Sequence, residues 1–535
     1  MKPTKNQAAW AATTLVLLAL AGVAPVFAQS APAATPTPDA GAQAAAPAKA
    51  PDAKPETAAP AAKPAEAKAK GAGMPLESVL KDGFLLRTPD KKTELKLAAS
   101  VQLDSRFYGG DSVAPDSFDI RRARLDFNAK LYDFMAVRIQ AALEDSPYIR
   151  NAILDIGTRD ALHLRVGQMK VPFSSQWLTL DNQVDFIERG SAEPVYPFFD
   201  RGFLLWGALA KQKLVYNLGV FTGAGVDLDN TKGDIDDHKD VAWRLFMQPL
   251  RGSTSAAEGI YLVLQGTYGL TSVPTRRYET RGLMAANFES LLWRWRTEQV
   301  IGTNGRLTDQ ISGEIDSRTR WGAELHYQRG PFVASAEWAK VKYEGIQIFH
   351  DLFQGSKRLK HVPVLARDGE ISNMSVWASY FLTGEKKLLD NFGWRQPSPD
   401  RPWGPGLEGG GAWEILARFS TTETDAELFD SAKVNGFTAA DFTDTPPPTP
   451  GDGSSVNAAV VEGARKVYEA TLGVNWTMNY NLRIQLDFTT IWAPDFVPGK
   501  NGIVSGGNSD LADPTIKNTL VEKEHMVGMR FIFRI

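Results

Sequence analysis

From Glu94 onward, polar and apolar residues alternate in short runs. In Glu94–Tyr108, Leu95, Leu97, Ala99, Val101, Leu103 and Phe107 share one face, and Lys96, Gln102, Asp104 and Arg106 share the other. Phe118–Tyr132 sets Leu125, Phe127, Ala129 and Leu131 against Arg122, Arg124, Asp126, Asn128 and Lys130. Phe134–Glu144 sets Val137, Ile139, Ala141 and Leu143 against Arg138, Gln140 and Glu144. Successive strand side chains point to opposite faces, so this period of two predicts strands with one apolar face. Further segments fall near 150–157, 161–168, 203–210, 213–222, 241–249, 259–269, 320–328, 332–343, 372–383, 412–420, 466–478, 482–491 and 525–535, which makes sixteen. No helical or βαβ rhythm intervenes.

The connections between these segments mostly alternate in length. Short ones fall at Tyr132-Asp133, 157–160, 210–213, 329–331 and 479–481; long ones near 169–202, 223–240, 270–319, 344–371, 421–465 and 492–524. An even strand count with short turns at one end and long loops at the other is the pattern of a bacterial transmembrane barrel. Two connections break it: 145–149 is short where a long loop is due, and 384–411 is long where a short turn is due. Trp243, Trp321, Trp338, Trp413 and Trp476 fall on the apolar face, several near segment ends, where lipid-interface girdles sit. The last strand runs to the terminal carboxylate. A soluble sheet would leave it as an exposed edge, whereas a closed barrel has none. The expected fold is all-β: a 16-stranded antiparallel transmembrane barrel with long extracellular loops.

The N-terminal segment agrees with export. Lys2 and Lys5, the apolar run 15–26 and Val26-Phe27-Ala28 read as a signal peptide over 1–28, cleaved after Ala28. Residues 29–78 are expected to be a disordered, Ala/Pro-rich periplasmic segment, because so little apolar surface cannot offset the entropy of ordering. The barrel is expected to occupy 79–535. No later apolar run is long enough for a membrane helix. There are no cysteines, which excludes disulfides, thiolate metal sites and cysteine nucleophiles, and the net charge of −3 argues against nucleic acid as a partner.

Four stretches, in order, resemble the phosphate-selective porins O and P. They are Phe118-Asp119-Ile120-Arg121-Arg122-Ala123-Arg124-Leu125; Arg165-Val166-Gly167-Gln168-Met169-Lys170-Val171-Pro172-Phe173-Ser174; Leu382-Thr383-Gly384-Glu385; and Gly411-Ala412-Trp413-Glu414-Ile415-Leu416-Ala417-Arg418-Phe419-Ser420. The resemblance covers about 80–535. It implies an outer-membrane porin, commonly a homotrimer, with the third loop (near 170–202) folded into the lumen and basic residues guiding phosphate. It also implies an extended insertion at 384–411. Arg121 and Arg122 resemble the arginine pair of the first motif, although by alternation Arg121 shares parity with the apolar face.

A guanidinium fork matches phosphate oxygens and stays charged, so rows of such groups in a narrow pore select anions. The expected anion-guiding residues are Arg121, Arg122, Arg124, Lys130, Arg138, Arg165 and Lys170, clustered in the second to fifth strands. Arg244, Arg418, Arg483, Arg530 and Arg534 are secondary lumen candidates. The predicted lumen face carries ten basic residues (this secondary set with Arg122, Arg124, Lys130, Arg138 and Arg165) against eight acidic ones: Asp126, Glu144, Asp155, Glu324, Glu337, Glu414, Glu469 and Asp487. Opposed rows of this kind also serve for plain lumen solvation and cross-strand pairing. The third loop holds Lys170, Arg189 and Arg201 against Asp181, Asp185, Glu188, Glu193 and Asp200, a poor composition for an anion filter.

Other constellations are weak. The acidic loop near 227–240 offers oxygen ligands of the kind calcium takes but lacks EF-hand spacing, so a lipopolysaccharide-facing loop is the better reading. His163 and His326 fall on the lumen face as lone residues, and no zinc pair, Walker loop or Gly-x-Ser-x-Gly elbow occurs. No cofactor, metal or catalytic residue is expected. The expected function is an outer-membrane diffusion channel for small hydrophilic solutes, anions such as phosphate above all. The alternatives are a broad, weakly selective porin and a barrel that only anchors structural or adhesive loops. Expected partners are outer-membrane lipid, lipopolysaccharide and the barrel assembly machinery, engaged through the C-terminal strand. There Phe533 takes the place of a terminal aromatic residue.

Overall fold

The computed structural model describes residues 76–80, 83–144, 147–223, 237–270, 293–296, 300–301, 307–354, 357–426, 460–498, 501–505 and 519–535. The acidic loop near 227–240 lies largely outside them, as do residues 1–75.

Sixteen antiparallel strands close a barrel. They are β1 (Glu94–Gly110), β2 (Ser117–Leu131), β3 (Met135–Ala142), β4 (Tyr148–Arg159), β5 (Leu162–Lys170), β6 (Phe199–Leu209), β7 (Leu214–Phe221), β8 (Asp240–Met247), β9 (Ile260–Leu270), β10 (Ser317–Arg329), β11 (Phe332–Gln354), β12 (Lys357–Phe381), β13 (Ala412–Thr424), β14 (Lys466–Thr477), β15 (Leu482–Trp492) and β16 (Lys523–Arg534). Each pairs with its neighbours, and β16 closes on β1 from Glu524↔Gly110 to Arg534↔Ser100. A short hairpin, Glu77–Leu80 with Phe84–Arg87, continues that seam by pairing with Glu94–Leu97 of β1, just beyond where Ile535 meets Ala99. Among the described residues no helix is long and apolar enough to cross a membrane.

Alternation sorts the side chains as two solvents require. Phe118, Ile120, Leu125, Phe127, Phe419, Leu472, Phe488 and Phe533 point outward and are exposed, forming the lipid-facing surface. Trp243 packs edge-on against Trp321, and Trp413 stacks on Trp476, with ring centroids 6.0 and 5.0 Å apart. Inward positions are largely polar, with apolar exceptions such as Val341, Ile371, Val467 and Ile491.

Among the register shifts of the described strands, two bulges re-aim basic side chains. Gln102 of β1 pairs with Arg122 while Leu103 pairs with Ile120, leaving Arg121 as an extra residue. Gln140 of β3 pairs with Asn151 while Ala141 pairs with Ile149, leaving Arg150 extra. A bulge shifts the pleat by one residue and re-aims a side chain. Arg121, assigned by parity to the apolar side, therefore turns inward beside Arg122, and Arg150 joins Asn151 on the lumen side.

Two connections fold into the barrel. One is the segment between β5 and β6, with a short helix α1 (Ser175–Leu178) and a 3-10 turn (Glu193–Val195). The other is the long connection at the short-turn end, which broke the length pattern. Its hairpin, Leu388–Asp390 with Gly393–Arg395, enters the lumen and meets the first segment. Trp394 N–H donates to Thr179 Oγ1 at 2.9 Å, and Gln396 Nε2 reaches Asp185 Oδ1 at 2.6 Å. Gly393 sits at the contact with φ +105°, and a Cβ there would lie 2.5 Å from Thr179 N. Both the backbone conformation and the close approach require glycine.

Candidate functional site: a wet basic wall and a dry docking wall

The segment between β5 and β6, the third loop expected from the sequence, divides the lumen. Its apolar residues Phe173, Trp177, Val195 and Tyr196 pack against Val341, Ile371, Val467 and Ile491, while Phe186 packs with Trp377, Trp394 and Leu416. Its backbone polar groups meet side chains of the same wall. Ser175 N–H donates to Glu324 (3.0 Å), Ile187 N–H to Asp487 (2.6 Å) and Ser191 N–H to Glu469 (2.5 Å). Arg418 donates to Glu188 O (2.8 Å), Arg530 to Ile187 O (2.6 Å) and Arg320 to Val195 O (3.1 Å). A buried loop must satisfy its peptide groups, and this wall supplies the partners.

The near-even charge balance of the lumen face is therefore a segregation. Five of the eight predicted wall acids, Glu324, Glu337, Glu414, Glu469 and Asp487, lie at most 5 % exposed on the β10–β15 side. Arg418 of β13 and Arg483 of β15 are sealed there too, as are Arg244 of β8 and Arg530 of β16, at 0–5 %. They face inward as alternation predicts, but they hold the inserted segment. Arg244, for example, donates to Ser175 Oγ at 2.6 Å. His326 belongs to this packing: its ring bridges Ser335 (2.9 Å) and Glu324 (2.7 Å) and meets Trp394 edge-on. The chain Ser335–His326–Glu324 superficially resembles a hydrolase triad, but it is sealed from solvent.

The opposite wall stays wet. A cavity of about 860 Å³ runs along β1–β5 and the inward hairpin. Ten basic side chains border it (Arg87, Lys96, Arg124, Lys130, Arg138, Arg150, Arg165, Lys170, Arg395 and Arg534), against four acidic ones (Glu94, Asp126, Asp155 and Asp181). Arg138 pairs with Asp126 (2.8 Å), Arg165 with Asp155 (2.7 Å), and Arg124 with Glu144. His163 joins Asp155 at 3.1 Å and stacks on Trp206. Lys130 sits at the short-turn rim, half exposed and paired with Asp133.

Deeper in, two loop carboxylates meet clusters of cations. Asp181 lies 2.7 Å from Arg189, 3.0 Å from Arg150, 3.6 Å from Arg122 and 3.9 Å from Lys170. Glu188 lies 2.5 Å from Arg106, 3.2 Å from Arg530 and 3.3 Å from Arg121. Asp185, the third, is held by Lys387 of the in-folded connection, whose ammonium also meets Glu414 at 2.5 Å. Loop acids that look adverse to anions are thus outnumbered wherever they meet the basic wall. Sequence reasoning missed Arg150 and Lys387: one is a bulge residue, and the other lies in a stretch with no periodicity. Arg106 was on the inward face of β1 but outside the expected site. Among the described residues no group of three or more metal-ligating side chains forms a metal site.

Asp181 and Glu188 lie on the connection, outside the strands. Burial opposes the charge of Asp181, yet Arg150, Arg122, Lys170 and Arg189 hold its carboxyl well below the usual carboxylate range. Burial likewise opposes Glu188, and Arg121, Arg106 and Arg530 outweigh it. A carboxylate with a depressed folded-state pKa stabilises docking above its free pKa of about 4 and loses that contribution as pH falls through the lower folded value. The contribution of Asp181 and Glu188 to loop docking, and its effect on single-channel conductance, is therefore expected to stay constant from about pH 8 to about pH 4 and to fall only below that. A transition near neutral pH would assign control of the loop to other groups.

A closed sixteen-stranded barrel with a lipid-facing apolar surface and a charged, partly occluded lumen defines an outer-membrane channel. Residues 93–491 match the family model described as phosphate-selective porin O and P, and the chain belongs to that family. Similar solved structures include in-vitro folded OmpT, an outer membrane protein of Vibrio cholerae (11% identity, 83% of this chain and 98% of that one, TM-score 0.43). The outer membrane channel DcaP of Acinetobacter baumannii is similar at 11% identity (85% and 99% covered, TM-score 0.41). Salmonella typhi OmpF, in complex with daunomycin, is similar at 10% (85% and 100% covered, TM-score 0.39). No curated protein matches the sequence.

Proposed function

We propose that this porin is a diffusion channel for small hydrophilic anions, phosphate among them. The observation that carries the reading is the segregation of charge: ten basic against four acidic side chains border the water-accessible cavity, while most wall acids are sealed behind the third loop. Fixed cations beside a narrow aqueous path lower the energy of anions and raise that of cations. The porin family and the barrel favour a channel over an enzyme. The family also favours a homotrimer delivered by a cleaved signal peptide, with the 29–78 segment on the periplasmic side and the β16 strand read by the assembly machinery. The test is the reversal potential of the purified protein in planar bilayers under a KCl gradient. Anion preference is expected, and inorganic phosphate should reduce chloride current saturably. Cation preference would overturn the reading.

A further inference from the structure

Asp181 occupies an unusual place. Four cations converge on one carboxylate, three from different strands and one from the loop itself: Arg122 of β2, Arg150 of β4, Lys170 of β5, and Arg189. All four are at most 11 % exposed in their side chains. Wall and loop thus build a site with a surplus of three positive charges, beside the cavity that Arg150, Lys170 and Asp181 border. The cations divide between two oxygen positions. Arg189 and Lys170 face Oδ1, while Arg150 and Arg122 face Oδ2. Two of the four distances, 3.6 and 3.9 Å, exceed hydrogen-bonding range, so Arg122 and Lys170 act on the carboxylate through charge while donating to Gln102 Oε1 (2.9 Å) and to Trp177 O (2.6 Å) and Thr179 O (3.0 Å). The loop does not depend on this carboxylate alone for its position. The Asp181 carbonyl accepts from Gln102 Nε2 at 2.7 Å, and Thr179 O accepts from both Lys170 and Arg189.

We propose that Asp181 is a resident ligand of the channel's anion site: its carboxylate stands where a permeating carboxylate-bearing organic anion binds, and such a solute passes by exchanging with it. This rests on the anion reading and narrows it. Two oxygen positions, each served by two cations, match a planar carboxylate. The third oxygen of a phosphate finds no cation assigned to it. Rotation of the Asp181 side chain frees the site while the backbone stays held. Asp181 thereby sets selectivity by competition, keeping weakly bound anions from lodging among the four cations.

The test uses the intact channel in planar bilayers, after heat-modifiable gel mobility has verified assembly. Block of chloride current by benzoate and by inorganic phosphate is compared in wild type and Asp181→Asn. With the resident carboxylate gone, the half-blocking benzoate concentration is expected to fall about tenfold or more, and that of phosphate by less. Anion preference should rise. An unchanged benzoate block with raised conductance would make Asp181 a mere tether and overturn the proposal. Equal gains for both probes would overturn the carboxylate preference. Should Asp181→Asn fail to assemble, Asp181→Glu serves: a competitor moved by one methylene alters benzoate block, whereas a tether leaves it unchanged, which would overturn the proposal. Cation preference in the wild type overturns both this inference and the anion reading. Anion preference without the Asp181 effect overturns this inference alone.

Discussion

With Arg122, Arg150 and Lys170 all replaced by glutamine, the reversal potential under a KCl gradient is expected to cross from anion-favouring to near zero or cation-favouring. The three side chains lie 3.0–3.9 Å from Asp181 and form most of its cationic surround. A unit charge about 5 Å from a permeating ion, at an effective dielectric of roughly 60, contributes about 1 kcal/mol. Each cation is then worth about fivefold in anion occupancy and the three together about a hundredfold. The triple variant also leaves Asp181 with Arg189 as its remaining partner in the cluster, so the net positive charge there falls to about zero. Screening should shrink the wild-type preference between about 0.1 M and about 1 M salt. Lys130→Gln is the control. Its ammonium sits at the rim, 44% exposed and paired with Asp133, and its loss should move the potential little. A triple variant that keeps the wild-type potential would assign the preference to other cations of the wall.

Lys387→Met is expected to free the inward hairpin and raise single-channel conductance several-fold. The Lys387 side chain is fully buried, with its ammonium between Asp185 of the third loop and Glu414 of β13. Removing one member of a buried ion cluster leaves the others uncompensated and costs about 3–5 kcal/mol. Methionine fills the volume, so the loss is mainly electrostatic. Both carboxylates then gain most by reaching water, which separates the hairpin from the loop. Deletion of residues 388–396 should raise conductance by a similar or larger factor, since the hairpin borders the cavity through Asn391, Phe392 and Arg395. Protease access to 388–395 in the Lys387 variant is an independent readout. Wild-type conductance in both variants would mean that the hairpin does not narrow the path.

The strand ladder was legible in the chain because lipid and water impose opposite demands on alternate residues. Each of the sixteen alternating segments corresponds to a barrel strand, and the oddly long connection at 384–411 corresponds to the in-folded hairpin. The site was less legible, for three physical reasons. Parity assumes an unbroken pleat, and the bulges at Arg121 and Arg150 break it. A sum of wall charges treats every inward residue alike, whereas Glu469 and Asp487 bind loop amides in the dark and Arg138 faces water. Loop composition, finally, does not tell which cations a loop will meet. Asp181 and Glu188 counted against an anion path in the sequence, yet in the fold each lies within a cationic surround.

The two bulges have a consequence for how such a pore can change. A substitution trades one wall residue for another and is limited by the alternation of its strand. An inserted residue within a strand adds a side chain to the lumen while its neighbours keep their facing, so charge enters the pore through chain length. Removing the residue at position 121 or 150 would erase a guanidinium from the interior and straighten the strand, with every flanking residue still on its proper side. Length variants at these two positions, with no change of residue type, offer this barrel a stepwise route between a more basic and a more neutral channel.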